Sequence, residues 1–215
     1  MNTKQELEKL YTDITNCKIC PSINSEKVMI RIDKLNFSSK IMIIAEALAY
    51  DQVRISGIYY CYPDGTISKT GKNLDRFLNK FGFTVHPGGF NYVYPTEIVH
   101  CCPREFNKIR RPTKVEIENC LARGFLRKEI EIIKPRIIFL MGKTSYETFY
   151  KYFLNRKPQL ALTEKINEIS ATGVFDKYHD IAVIPLQHPS GANPNFHRML
   201  DNGRLFWYIN KILNQ

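Results

Sequence analysis

The sequence predicts a three-layer α/β/α sandwich around a central, mostly parallel four-stranded sheet. Short apolar runs suited to buried strands alternate along the chain with segments in which apolar residues recur at helical spacing. A chain of 215 residues, 44% of them hydrophobic, can bury one full core. No internal repeat or linker divides it, so we expect a single domain over residues 1–215.

Each element follows from its local pattern. The predicted strands cover residues 41–45, 92–99, 136–141 and 181–186. The predicted helices cover residues 4–16, 74–81, 113–135, 145–153 and 200–213. Thr113 and Glu116 form a capping box that opens the third helix, and Pro135 ends it. Pro95 argues against a regular central strand at 92–99, and the basic stretch 157–172 is predicted as an irregular insertion.

The predicted parallel sheet indicates where the functional site lies. In parallel α/β sheets, ligands bind beyond the carboxyl ends of the strands. The segments that follow the four strands directly are 46–60, 100–112, 142–145 and 187–198. Polar and unusual residues concentrate in the first, second and fourth of these segments, so we expect the site there.

The net charge indicates which class of partner the protein binds. The formal charge is +10, from 31 Lys and Arg against 21 Asp and Glu, and such an excess favours phosphate-bearing partners. The densest basic cluster is Lys108, Arg110, Arg111 and Lys114. The apolar runs are too short to span a bilayer, and the first residues are polar, unlike a signal peptide. We therefore expect a soluble, intracellular, cytoplasmic monomer that associates with the nucleoid.

The cysteines predict a metal site. In a reducing compartment, six cysteines favour metal binding or inert thiols over disulfides. Cys17 and Cys20 form a C-x-x-C pair whose thiolates can reach one metal or cluster. The other cysteines are Cys61, Cys101, Cys102 and Cys120. Cys61 is the expected spare, and spacing alone does not separate zinc from iron–sulfur.

Several of these features together resemble the iron–sulfur uracil-DNA glycosylases of families 4 and 5. The chain shows the C-x-x-C pair, then Cys101-Cys102-Pro103, which is similar to the family's C-x-P element. A Pro-Thr helix start at Pro112-Thr113 and then Cys120 follow in the family's order. The resemblance implies a [4Fe–4S] cluster on Cys17, Cys20, Cys101 and Cys120, with Cys102 as the rival third ligand.

The resemblance also implies the catalytic residues. His188-Pro189-Ser190 matches the family's second motif, so His188 stabilises the leaving base. Ala45–Ala49 corresponds to a Gly-Glu-Ala-Pro-Gly loop, which makes Glu46 a candidate for ordering water and Ala47 a base contact. Asp51 is a further candidate for positioning water, and Tyr60 for stacking on the base, with Tyr59 as its neighbouring rival. The implied DNA contacts are Ser190, Gly191, Asn193, Lys108, Arg110 and Arg111.

Three departures from the family pattern bear on activity. The first motif has lost both glycines and its proline, and the loop that carries the aromatic residue is longer. Glu97 stands where the family has an Asn that reads uracil. An amide offers one donor and one acceptor for uracil N3–H and O4, whereas an ionised carboxylate only accepts. A carboxyl protonated by burial restores the donor.

The sequence thus predicts a DNA glycosylase that excises uracil or another deaminated base from DNA. Two alternatives remain open at this point. One is a non-catalytic binder of DNA or abasic sites on the same scaffold. The other is a metal-bearing α/β protein that acts on nucleotides or RNA.

Overall fold

The computed structural model describes residues 2–20, 30–49, 56–89, 91–105 and 108–214. Of the predicted site residues, Asp51 and the side chain of Lys108 lie outside this part of the chain. Within the described ranges, every helix is too short or too polar to span a lipid bilayer.

A five-stranded sheet organises the fold. The strands within the described residues are β1 (Ile41–Ala47), β2 (Tyr94–Val99), β3 (Arg104–Glu105), β4 (Lys108–Ile109), β5 (Ile137–Met141), β6 (Asp176–Tyr178) and β7 (Ile181–Leu186). The main sheet has the order β2-β1-β5-β7-β6, parallel except for β6, which runs antiparallel to β7. Strands β3 and β4 pair separately as a short antiparallel hairpin. The mostly parallel α/β fold is confirmed.

Helices cover this sheet. They are α1 (Thr3–Asn16), α2 (Lys69–Leu78), α3 (Lys114–Ala122), α4 (Phe125–Ile133), α5 (Lys143–Tyr152), α6 (Leu162–Thr172), α7 (Pro194–Leu200) and α8 (Gly203–Leu213). Phe77 of α2 packs against Phe139 of β5 and Phe206 of α8, with ring centroids 5.3 and 5.5 Å away. Strands β1 and β5 are buried along their apolar runs, as expected for central parallel strands.

Pro95 sits where a sheet tolerates it. Strand β2 lies at the edge of the sheet, and Pro95 pairs with Ile43 of β1 there. An edge strand needs a ladder partner on one side only, so a residue without an N–H costs little. The strand therefore forms despite the proline.

Two predicted helices differ from the observed ones. The segment 113–135 is not one helix, because Gly124 adopts a left-handed backbone with φ +70° between α3 and α4. The helix predicted at 200–213 forms as α8 but begins three residues later, because Leu200 ends α7 and Asn202 caps α8 by accepting from the backbone N–H of Leu205 at 3.1 Å. In both cases a single glycine or cap residue redirects the chain, although apolar spacing continues on either side.

The prediction of an irregular insertion at residues 157–172 is wrong. Most of it is helix α6, which buries Ile166 and Ile169, and it leads into the additional edge strand β6. Tyr178 ends β6 and packs edge-on against Phe149 of α5. The basic character of the stretch hid a two-residue apolar stripe that is enough to anchor a short helix.

Candidate active site

A cavity of about 340 Å³ opens beyond the carboxyl ends of β1, β2, β5 and β7. Each of these strands contributes to its wall, either from its last residues or from the segment that follows. Of the residues predicted from the sequence, the cavity is lined by Glu46, Ala47, Tyr60, Glu97, Arg110, Arg111 and His188. The fold thus brings together side chains that are up to 142 positions apart in the sequence, from Glu46 to His188.

Glu97 is the buried polar group of this cavity. It pairs with Ala45 across β1 and β2, and only 4% of it is exposed. Within the described part of the chain, its Oε2 has no hydrogen-bond partner. Burial raises the pKa of the Glu97 carboxyl well above its usual range; His100 opposes this shift, and Glu129 and Glu46 add to it. The raised pKa favours the neutral acid, a form that can both donate and accept.

His188 follows β7 at the mouth of the cavity. The backbone N–H of Ser190 donates to its Nδ1 at 3.2 Å, and the Asn193 side chain donates to its carbonyl at 3.0 Å. Although the residue is exposed, protein packed around the ring lowers the pKa of His188, and the nearby Arg111 guanidinium lowers it further. The imidazole is thus kept neutral, with Nδ1 accepting and the hydrogen on Nε2.

Tyr60 is held in an uncommon backbone conformation. Its φ is +59°, which is rare for a residue with a large side chain. A Cβ added to Gly71 would lie 2.8 Å from the Cβ of Tyr60, so glycine is required there for α2 to approach. The Tyr60 hydroxyl points to Met141 Sδ at 3.9 Å, and Tyr59 is also buried beside the cavity. Such local strain is usual at functional sites.

The two arginines have different surroundings. Arg111 is 85% exposed at its side chain, and its Nε lies 4.0 Å from Glu46 Oε2. A pair this exposed contributes about 0–1 kcal/mol, so Arg111 can exchange Glu46 for another anion. Arg110 instead donates two hydrogen bonds to the buried Glu116, whose carboxylate also accepts from the backbone N–H of Thr113. Arg110 thereby ties the β3–β4 hairpin to the start of α3.

The loop after His188 packs on α2. Asn73 of α2 donates to the carbonyl of Pro189 at 2.9 Å, and the side chain of Lys69 passes close over Gly191. Ser190 is half-buried, whereas Gly191 is exposed. The sequence analysis did not single out Lys69 or Asn73.

A second, smaller cavity of about 20 Å³ gathers the predicted cluster ligands. Cys17, Cys20, Cys101 and Cys120 all line it. Cys102 does not; it is fully buried elsewhere in the core, and Cys61 pairs by backbone with Ile67 beside the aromatic loop. The rest of the lining is largely apolar, including Ile14 and Phe125.

The four cysteines offer thiolate donors, which can ligate a zinc ion or an iron–sulfur cluster. Among the described residues, no three Cys, His, Asp or Glu side chains are placed to hold one metal ion. A tetrahedral ion with Zn–S bonds of about 2.3 Å would need sulfurs about 3.8 Å apart, whereas a cluster interposes iron and sulfide and spaces its thiolates more widely. Asn119 donates to Cys20 Sγ at 3.5 Å, a contact that orients this thiol.

A buried hydrogen-bond network lies between the two cavities. Glu129 is fully buried and accepts from Thr96 at 2.6 Å, from Tyr11 at 2.8 Å and from Tyr94 at 3.0 Å. His100 Nε2 lies 2.8 Å from the same carboxyl group, and its Nδ1 lies 3.6 Å from Cys120 Sγ. The network joins α1, β2 and α4 behind the wall that carries Glu97.

The comparison with known families agrees with this geometry. The sequence model described as "UDG: Uracil DNA glycosylase superfamily" matches residues 32–214, which is most of the chain and includes every part of the larger cavity. The match begins after the C-x-x-C pair, so it does not cover Cys17 and Cys20. On this match and the α/β sheet that carries it, the chain belongs to the Uracil DNA glycosylase superfamily.

Proposed function

We propose that this protein is a DNA repair glycosylase that excises uracil or another deaminated base by base flipping and hydrolysis of the N-glycosidic bond. The observation that carries the proposal is the convergence of His188, Glu97, Tyr60 and Glu46 on one cavity in a chain of this superfamily. Duplex DNA hides the glycosidic bond, so the nucleotide must leave the stack to enter such a cavity.

His188 stabilises the leaving base. When the glycosidic bond breaks, the base departs with negative charge on its carbonyl oxygens. The neutral imidazole, with Nδ1 accepting from Ser190, has its hydrogen on Nε2 and can donate it to the base carbonyl. A positioned donor acting on a developing anion typically contributes 10²–10³ in rate, by analogy with oxyanion holes.

Glu97 reads the edge of the base. As a neutral acid, it presents an accepting carbonyl oxygen and a donating hydroxyl side by side. This pair is complementary to an N–H next to a C=O, the arrangement at N3 and O4 of uracil. Deamination creates such an edge wherever an amino group is replaced by a carbonyl, so the proposed substrates are deaminated bases. Burial of Glu97 and its unpartnered Oε2 support this role.

The remaining residues orient base and water. The ring of Tyr60 stacks on the base, which is worth roughly 1–3 kcal/mol for base–aromatic pairs. Glu46 orders the attacking water near the sugar, and the backbone of Ala47 borders the base. Asp51 stays a prediction for positioning water. Arg111, Ser190 and Gly191 contact the phosphates from the exposed rim of the cavity.

We further propose that Cys17, Cys20, Cys101 and Cys120 hold a [4Fe–4S] cluster. The common cavity of the four thiols supports it. Such a group supplies a covalent cross-link of high stability between distant segments. It would join the end of α1 to the segment after β2 and to α3, and thereby brace the β3–β4 hairpin beside the active cavity.

The function is tested with duplexes that carry uracil, hypoxanthine or xanthine at one position, assayed for abasic-site formation. We expect release of at least one of these bases by the wild-type protein and none by a His188→Ala, Glu46→Gln double variant. Tight binding to abasic or uracil-bearing duplexes without release of any base would contradict the enzyme and support a non-catalytic binder. Failure to bind DNA would contradict both.

A further inference from the structure

His100 is a buried side chain whose two ring nitrogens both face polar atoms. It lies directly after β2 and directly before Cys101, and only 3% of it is exposed. Its Nε2 lies 2.8 Å from Glu129 Oε2, and its Nδ1 lies 3.6 Å from Cys120 Sγ. Phe125 meets the ring edge-on, with 6.0 Å between the ring centroids. The imidazole is therefore held between a carboxyl group and a proposed cluster ligand.

Glu129 determines which nitrogen of the ring faces the sulfur. This fully buried carboxyl group also accepts from three hydroxyl groups, those of Thr96, Tyr11 and Tyr94. Both of its oxygens are engaged, so it cannot turn without leaving buried groups unpaired, at a cost of about 1–3 kcal/mol for each. Nε2 of His100 is thus fixed on Glu129, and Nδ1 is directed at Cys120.

The state of the sulfur determines where the ring hydrogens lie. A cysteine that ligates a metal is deprotonated, so its sulfur can only accept a hydrogen bond. With Cys120 as a ligand, Nδ1 of His100 must carry a hydrogen, and the separation of 3.6 Å suits donation to a large sulfur atom. The hydrogen between Nε2 and Glu129 serves that contact whichever of the two atoms holds it. The donor toward the sulfur is present in both cases.

A second donor to a proposed ligand is held differently. Asn119 donates to Cys20 Sγ at 3.5 Å, and it is a half-buried residue of α3, the helix that also carries Cys120. His100 instead reaches α3 from the end of β2, and its partner Glu129 belongs to α4. The contact of His100 therefore ties one ligand to two further elements of the fold.

We propose that His100, held by Glu129, is the positioning residue of Cys120: it donates Nδ1–H to the thiolate, fixes the direction of this ligand and stabilises its negative charge. Hydrogen bonds to the ligating sulfurs help to set the reduction potential of an iron–sulfur cluster, and the residues that orient ligands strengthen metal binding. The proposal rests on the proposed cluster and deepens it, because it names the residue through which the protein holds one ligand.

Two variants each keep one half of the imidazole. The amide nitrogen of Asn can take the place of Nδ1, so His100→Asn keeps a donor for Cys120 and loses the contact with Glu129. The amide nitrogen of Gln can take the place of Nε2, so His100→Gln keeps the contact with Glu129 and loses the donor for the sulfur. Tyr94→Phe is the matched control, because it removes a hydrogen bond to the same Glu129 from a residue outside the cysteine cavity.

The first readout is the iron–thiolate stretching band in resonance Raman spectra of the purified, iron-loaded proteins. A hydrogen bond to sulfur weakens the iron–sulfur bond, so the band should rise in frequency in His100→Gln and stay near the wild-type value in His100→Asn and Tyr94→Phe. The reduction potential should fall in His100→Gln alone, since the hydrogen bond favours the more negative, reduced state. Stripping the iron from His100→Gln should need about tenfold less chelator.

One measurement needs no variant. Exchange of the wild type into D₂O should shift the same band, because the hydrogen on Nδ1 of His100 lies against the sulfur. A band that does not respond to D₂O and is unchanged in His100→Gln overturns the proposal. Equal changes in all three variants also overturn it, since they would reflect a general loosening of the network around Glu129.

The proposed cluster can fail separately. If the purified protein holds zinc without iron, the cluster is wrong, and competition for zinc decides the role of His100. The affinity for zinc should then fall about 10–100-fold in His100→Gln and stay close to the wild type in His100→Asn. Equal affinities would overturn the role of His100, and a protein that binds neither metal would overturn both proposals.

Discussion

The backbone N–H of Ser190 donates to Nδ1 of His188 at 3.2 Å, and this contact assigns the tautomer of the imidazole. Nδ1 must be an acceptor, so the neutral ring carries its hydrogen on Nε2. The lowered pKa of His188 keeps the ring neutral at physiological pH. A neutral donor stabilises the departing base without first forming an ion pair.

The first prediction removes this donor. His188→Ala should reduce the single-turnover rate of base release by about 10²–10³ and change DNA affinity little, because the donor acts mainly on the charge that develops in the transition state. His188→Gln, whose amide can also donate, should recover part of the rate. Rate and affinity are measured separately, by quenched single-turnover assays and by fluorescence anisotropy. A comparable loss of affinity would show that His188 only shapes the DNA-binding loop.

The second prediction concerns base preference. An amide at position 97 presents a donor and an acceptor at every pH, whereas Glu97 does so only while it is protonated. Glu97→Asn should therefore raise the excision of uracil relative to other deaminated bases, and the difference should grow as pH rises and the wild type loses its donor. Competition assays on mixed substrates at several pH values give the ratio. An unchanged ratio at all of them would remove Glu97 from base recognition.

The third prediction uses the raised pKa of Glu97. Above the unfolded pKa of about 4.3 the unfolded chain releases this proton, whereas the folded chain keeps it until the raised folded pKa is reached. The contribution of Glu97 to stability therefore falls as pH rises through that window, by at most about 1.4 kcal/mol per pH unit. The neighbouring groups His100, Glu129 and Glu46 are the same in both proteins compared below.

Glu97→Gln has nearly the same shape and cannot ionise. Its stability relative to the wild type should increase as pH rises from about 5 to about 8, by at most about 1.4 kcal/mol per pH unit. Denaturant unfolding at matched ionic strength measures the difference. A difference that stays constant across this range would mean that the folded and unfolded proteins ionise Glu97 alike.

Much of this site could be predicted from the sequence because parallel α/β topology determines where strand ends meet. Glu46, Glu97 and His188 each lie at or just after a strand with a clear apolar run, so the fold rule alone brings them to one edge. The capping box at Thr113 and Glu116 was equally local, and the structure shows both of its hydrogen bonds.

The rest depended on contacts that no local pattern encodes. The split at Gly124 needed knowledge of its left-handed backbone, and α6 carried too short an apolar stripe to be recognised. The pairing of Arg110 with Glu116 forms only when the hairpin folds. The sequence therefore predicted the same role, contact with DNA, for Arg110 and for the exposed Arg111.

The fourth prediction separates two adjacent cysteines. Cys101 lines the cavity shared with Cys17, Cys20 and Cys120, whereas Cys102 is fully buried away from it. Cys101→Ala should lose most of the bound iron and the brown colour of the purified protein, and Cys102→Ala should keep both. Iron and acid-labile sulfide are quantified against protein. Stoichiometric zinc without iron in the wild type would contradict the cluster, and loss of iron from Cys102→Ala alone would exchange the two assignments.

The fifth prediction distinguishes the two arginines beside the cavity. Arg111 is exposed and only loosely paired with Glu46, so Arg111→Ala should weaken DNA binding and reduce the slope of log affinity against log salt by about 1, with little change in stability.

Arg110→Ala should instead leave Glu116 without its guanidinium partner. Because the Arg110 side chain is 22% exposed, we expect a loss of about 2–3 kcal/mol in the free energy of unfolding, somewhat less than for a fully buried pair. Binding titrations at several salt concentrations and denaturant unfolding of both variants measure these effects. Equal salt slopes for Arg111→Ala and the wild type would show that Arg111 contacts no phosphate, and an unchanged stability of Arg110→Ala would show that its pair with Glu116 does not brace the hairpin.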